Sequence, residues 1–174
     1  GGPFDASAYD GDAETAAAVR QAFLLLFPRQ EIVDTVVEPL NPEAVVRQSF
    51  TQVPGSPLYD GVVAASGIEA AYPADVPQES VDQATQLLED AGVETPIDVR
   101  IMTDAVNTRR QNQLQLLTDH YGESGLFNIV DNSLLGANAP KPVAGYTETI
   151  LRLIGVVLGA VAQADPERAT AAPF

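Results

Sequence analysis

The chain of 174 residues has no cysteine and no tryptophan, one histidine and one methionine, and nine Lys and Arg residues against 24 Asp and Glu. Without cysteine there is no disulfide framework, no thiolate nucleophile and no Cys-ligated zinc. A formal charge of -15 argues against nucleic acid and anionic lipid as partners, because both are gripped by clustered Lys and Arg. The single histidine, His120, falls near the end of an expected helix, where the dipole favours a cation, and reads as structural. Gly-x-Ser-x-Gly, His-Glu-x-x-His and phosphate-loop patterns are missing. A metal site would have to be built from carboxylates alone. Glu89 with Asp90, and Asp10 with Asp12, lack calcium-loop spacing and read as solvated faces and caps. The expectation is therefore no catalysis, no metal and no cofactor. The first residues carry neither a basic segment nor an apolar one, so an export signal, if the protein is exported, lies upstream.

What is present is enough for one domain with a core: 45% hydrophobic residues and a mean hydropathy of +0.02. Charge is distributed unevenly. Residues 1–133 hold six basic and 21 acidic side chains, whereas residues 134–174 hold three of each. Such a shift marks a boundary, and the expected organisation is a domain over 1–133 followed by a tail over 134–174.

Periodicity predicts helices and a short strand pair. Asp12 is a plausible N-cap for a helix with Val19, Phe23 and Leu26 on one face, interrupted by Pro28. A second short helix with Ile32, Val33, Val36 and Val37 on its apolar side ends at Pro39 and Pro42. From residue 41 to 77 the spacing of Pro42, Pro54, Pro57, Pro73 and Pro77, with Gly55, Gly61 and Gly67, predicts an extended, turn-rich loop. Ser80 and Gln83 are spaced as a capping box, opening a helix through Leu87 and Leu88 that Gly92 closes. Ile97, Val99 and Ile101 alternate as a half-buried strand; Asn107 caps a helix closed by Gly122; Phe127, Ile129 and Val130 form a second strand. The result is a β-α-β unit with a parallel pair of strands. In the tail, residues 147–164 are apolar on nearly all sides, but the uncharged stretch 153–164 is short of the roughly 20 residues needed to cross a bilayer.

Two groups of residues are candidate ligand contacts. Asn107, Thr108, Arg109 and Arg110 open a helix directly after a strand and after Thr103, and ligands in α/β sheets sit outside the carboxyl ends of strands, where helix N–H groups attract anions. The competing account, which the residue types favour, is that Asn107 is a plain cap and both arginines pair with nearby acids. Phe50, Gln52 and Tyr59 flank the Pro54-Gly-Ser-Pro57 turn, an aromatic–amide–aromatic set suited to a peptide backbone. Ordinary loop packing is the competing account.

The order of these segments carries a resemblance. Gly1-Gly-Pro-Phe-Asp5, Val19-Arg-Gln-Ala-Phe23, Pro28-Arg-Gln-Glu-Ile-Val33, the stretch from Phe50 to Asp60 and the strand from Phe127 to Asn132 together resemble the second lobe of the peptide-type (family 5) solute-binding proteins of ABC transporters. The resemblance covers residues 1–132. It implies an α/β fold, a fragment of a type II periplasmic-binding-protein-like lobe with a small, mainly parallel sheet flanked by helices. It also implies peptide capture without catalysis, no cofactor, an ABC permease as partner, and an extracytoplasmic location, often through an upstream lipid anchor. Phe50, Gln52, Tyr59, Thr103, Asn107 and Arg109 are then the expected ligand contacts. The chain departs from the family after residue 133, where further strands and a Trp-containing stretch are expected. The alternative is a small, non-enzymatic α/β interaction protein that associates through its apolar C-terminal helix.

Overall fold

The structure, a computed structural model, describes residues 2–133. The tail over 134–174 and the helix expected at 147–164 lie outside the described residues. Among those described, the chain forms two compact units: one comprises residues 2–46 and 72–133, the other Arg47–Ala71.

The larger unit opens with a short 3₁₀ turn, Ala6–Tyr9, and helix α1, Ala13–Leu25. The Asp12 carboxylate accepts the N–H groups of Glu14 and Thr15 and the Thr15 hydroxyl. These bonds satisfy donors that the first turn of a helix cannot pair internally, and they hold the Asp12 carboxyl below its usual range. Pro28, fully buried, separates α1 from α2, Arg29–Ile32, which continues as a π-helical turn over Val33–Val37. Of the expected apolar face, Val36 is buried and Ile32 partly so.

Helix α5, Gln78–Asp90, begins earlier than the Ser80 capping box predicts. Pro77 occupies the cap position, its carbonyl accepting the Ser80 N–H at 2.9 Å, and Ser80 lies buried within the first turn. The carboxyl end is as expected. Gly92 takes φ +65°, its N–H bonds the Glu89 carbonyl and the Val93 N–H bonds that of Leu88, the paired closure that favours glycine.

Strand β1, Ile97–Ile101, and strand β2, Phe127–Asp131, pair in parallel with Ile97 opposite Phe127 and Ile101 opposite Asp131. Helix α6, Thr108–Ser124, connects them. It runs two residues past Gly122, and the residue that ends it is Gly125, at φ +68°. The fold class is therefore α/β: a small parallel sheet flanked by helices.

The core forms where α1 packs on α5 and α6 packs on β2. At its centre Phe23 stacks on Tyr121 with ring centroids 4.5 Å apart and planes 6° from parallel, while Phe4, Phe27 and Phe127 meet Phe23 edge-on. Tyr121, completely buried, donates its hydroxyl to the Phe23 carbonyl at 2.7 Å, so ring stacking and a hydrogen bond tie α6 to the end of α1. Such an aromatic pair contributes about 1 kcal/mol beyond the area it buries.

The smaller unit contains helices where the proline spacing predicts only loop: α3, Tyr59–Ser66, and α4, Ile68–Ala71. The stretch between Pro57 and Pro73 is rich in alanine and free of proline, long enough for two short helices, with Gly67 at φ +65° between them. Val63 is buried in α3.

Candidate functional site

In a parallel pair both carboxyl ends lie side by side, and here the Ile101–Asp131 pairing brings two loops together. The Asn132 N–H donates to the Ile101 carbonyl at 2.8 Å, prolonging the ladder by one bond. Beyond it, Gln111 of α6 reaches both loops: its Nε2 donates to the Asp104 carbonyl at 3.1 Å and contacts the Ser133 hydroxyl at 3.4 Å. Asp104 holds its own turn, its carboxylate accepting the Val106 N–H at 3.1 Å and its carbonyl the Asn107 N–H at 3.2 Å. The Ser133 hydroxyl and N–H bond the Asp131 carboxylate and hold it below the usual carboxylate range.

Asn107 is the N-cap of α6. Its side-chain oxygen accepts the Arg110 N–H at 3.1 Å and its carbonyl accepts the Gln111 N–H at 3.0 Å. The backbone N–H groups of Thr108 and Arg109 are left without a protein acceptor among the described residues. The side chains of Arg109 and Arg110 are exposed and make no ion pair among those residues, so the expectation that they pair with nearby acids is not met there. Thr103 is half-buried in the loop that leaves β1. Thr103, Asn107 and Arg109 thus share one end of the β-α-β unit, which also carries Asp104 and Asp131. Positive groups and free N–H donors stand at the same end as two carboxylates, an arrangement suited to a ligand carrying both signs of charge.

Phe50, Gln52 and Tyr59 belong to the smaller unit and form a separate feature. The loop is closed by its own polar groups. The Gln48 N–H donates to the Tyr59 hydroxyl at 2.9 Å, Ser56 Oγ donates to Gln52 Oε1 at 3.1 Å, and the Gln52 N–H donates to Ser49 Oγ at 3.1 Å. Arg47 Nη2 lies 3.4 Å from the Phe50 carbonyl and 3.3 Å from that of Gln52. Internal bonding uses the Gln52 carbonyl oxygen and leaves Nε2 as its free donor among the described residues. The side chains of Phe50, Val53 and Leu58 are turned to solvent, 66%, 53% and 61% exposed.

Sequence reasoning missed Gln111, Asp104, Asp131 and Ser133. Gln111 had one legible signal, its position one turn after the Asn107 cap. The pairing of Asp131 with Ser133 is an ordinary local turn until the strand register sets it beside Ile101. His120 is also placed by tertiary structure, with Nδ1 3.4 Å from Glu31 Oε2. Among the described residues no group of three or more His, Cys, Asp or Glu is gathered as a metal site, and no helix is long and apolar enough to cross a membrane. Comparison of the chain with protein-family models, with curated proteins and with solved structures finds no match.

Proposed function

We propose that this chain is part of the ligand-capturing component of a peptide-type ABC transporter, an incomplete lobe that binds oligopeptides or dipeptides outside the cytoplasm and passes them to a membrane permease. The function is binding rather than catalysis, and binding would shift the receptor towards the closed form that a permease recognises. One observation supports this reading beyond the resemblance: the carboxyl end of the β-α-β unit combines two free helix N–H groups and Arg109 with the Asp104 and Asp131 carboxylates. A free peptide has a carboxylate for the first set and an ammonium group for the second. Phe50, Gln52 and Tyr59, on the smaller unit, are proposed as a second, separate peptide-contacting feature.

The test is a thermal-shift screen of the full chain against pooled di- to pentapeptides, repeated with N-acetylated, C-amidated versions. Unblocked peptides should raise Tm by a few degrees, since a ligand that binds only the native state stabilises it by mass action. Blocked peptides should give little shift, and Arg109→Gln should weaken the response to unblocked ones. Absence of any shift at millimolar peptide overturns the reading.

A second reading is a small non-enzymatic α/β interaction protein; the exposure of Phe50, Val53 and Leu58 favours a partner contact at this loop, whereas residues 147–164, the segment expected to associate, lie outside the described residues. Large apolar side chains grouped on one surface loop suit a protein contact.

A further inference from the structure

We infer that the loop carrying Phe50, Val53 and Leu58 is a docking surface for residues 147–164 of the same chain. Within the thirteen residues from Arg47 to Tyr59, the polar groups of Gln48, Ser49, Gln52, Ser56 and Tyr59 are bonded to one another. A loop fixed in this way has little freedom to turn its apolar side chains inward. The exposure of all three is thus a property of the loop's bonded form, and it leaves apolar surface in water at about 25 cal/mol for each Å².

Three features of the chain point to its own tail as the occupant. Residues 147–164 carry Ile150, Leu151, Leu153, Ile154, Val157 and Leu158 on one broad apolar face of an expected helix, a face that needs a partner to bury it. Charge separates the tail from a second copy. A homodimer brings together two chains of formal charge -15, whereas residues 134–174 hold equal numbers of acidic and basic side chains and approach without repulsion. Length permits the contact. Residues 134–146 between the last described residue and the segment span up to about 45 Å when extended, more than the width of an ordinary domain of this size, about 40 Å. A tethered segment also acts at a millimolar effective concentration, so it needs little affinity to occupy the surface.

Limited trypsin digestion of the full chain tests this without any ligand, so its outcome is separate from that of the peptide screen. Arg152 lies inside the segment and Arg168 lies beyond it, while Lys141 is followed by Pro142 and resists cleavage. Docking predicts cleavage after Arg152 at least about tenfold slower than after Arg168, because proteolysis follows the population of the open form. Val53→Ser combined with Leu58→Ser, both at exposed positions, should bring the two rates close together while cleavage after Arg20, in helix α1 of the larger unit, stays as slow as in the unaltered chain. Val157→Asp should do the same from the other partner. Equal rates in the unaltered chain overturn the inference, and so does protection that survives all three substitutions. Protection that fades on hundredfold dilution identifies a second copy as the occupant and overturns it as well.

Discussion

Tyr121 joins burial, ring stacking and a long-range hydrogen bond in one side chain. It is completely buried, stacked on Phe23, edge-on to Phe127, and hydrogen-bonded to a carbonyl 98 residues away in sequence. Tyr121→Phe keeps the rings and removes the bond, leaving the Phe23 carbonyl to lose a buried partner; the expected loss is about 1–2 kcal/mol by urea denaturation. The same residue fixes an alkaline response. Burial raises the Tyr121 hydroxyl well above 10, so the folded chain keeps the proton while the unfolded chain releases it from about pH 10 upward. Below pH 10 both states are neutral at this site and its contribution to stability is constant; above it, stability falls as pH rises. Tyr9 and Tyr72 are raised for the same reason, burial, so Tyr121→Phe should shrink the fall between pH 10 and 11.5 rather than abolish it. An unchanged alkaline limb would place its origin elsewhere. Val76 is a different case, a β-branched residue at φ +44°. The nearby backbone is pinned, with the Ala74 carbonyl accepting the Gln30 N–H at 2.9 Å and the Tyr72 carbonyl bonded to the Arg29 guanidinium. A conformation costing roughly 1–2 kcal/mol is kept by its surroundings.

At the scale of elements, helix ends separate what is local from what is not, and glycines test the difference. A Cβ at Gly122 or Gly125 meets nothing within 4 Å, so packing does not enter. Gly122 lies within α6 and Gly125 beyond its end at φ +68°. Gly122→Ala should therefore stabilise by up to about 1 kcal/mol through helix propensity. Gly125→Ala should destabilise by about 1 kcal/mol through the left-handed backbone. Opposite signs in thermal denaturation confirm Ser124 as the end of the helix; the reverse order would restore Gly122 as the terminator. Asn107→Ala removes the cap at the other end and should cost about 1 kcal/mol, whereas Asn107→Asp should keep most of it. Both strands, α1 with its Asp12 cap and the Asn107 cap were legible because period and capping act within a few residues. Less legible were features set by competition or by distance. Pro77 outcompeted Ser80 as the start of α5, and two short helices formed between Pro57 and Pro73 where proline spacing suggested loop. Of the site, Thr103, Asn107 and Arg109 were legible as a strand-to-helix junction. Gln111 bridging to Ser133 was not, because that contact exists only once β1 and β2 are in register.

Over the whole molecule the dominant quantity is charge. The six basic and 21 acidic side chains of residues 1–133 leave a large excess of carboxylates. Salt acts on both attraction and repulsion, and which is larger decides the sign of its effect. With nine basic side chains set against 24 acidic ones, repulsion dominates. Sodium chloride shortens the screening length from about 30 Å at 0.01 M to about 10 Å at 0.1 M and about 3 Å at 1 M. Long-range repulsion among surface carboxylates is therefore removed first. The Tm at pH 7 should climb by several degrees between 10 and 300 mM sodium chloride and then level off. It should respond much less at pH 4.5, where part of the carboxylate charge is already neutralised. Sodium chloride is the appropriate salt, since sulfate also strengthens apolar burial and would raise Tm for a second reason. A Tm that is flat or falling over this range at pH 7 would show that favourable ion pairs offset the excess charge.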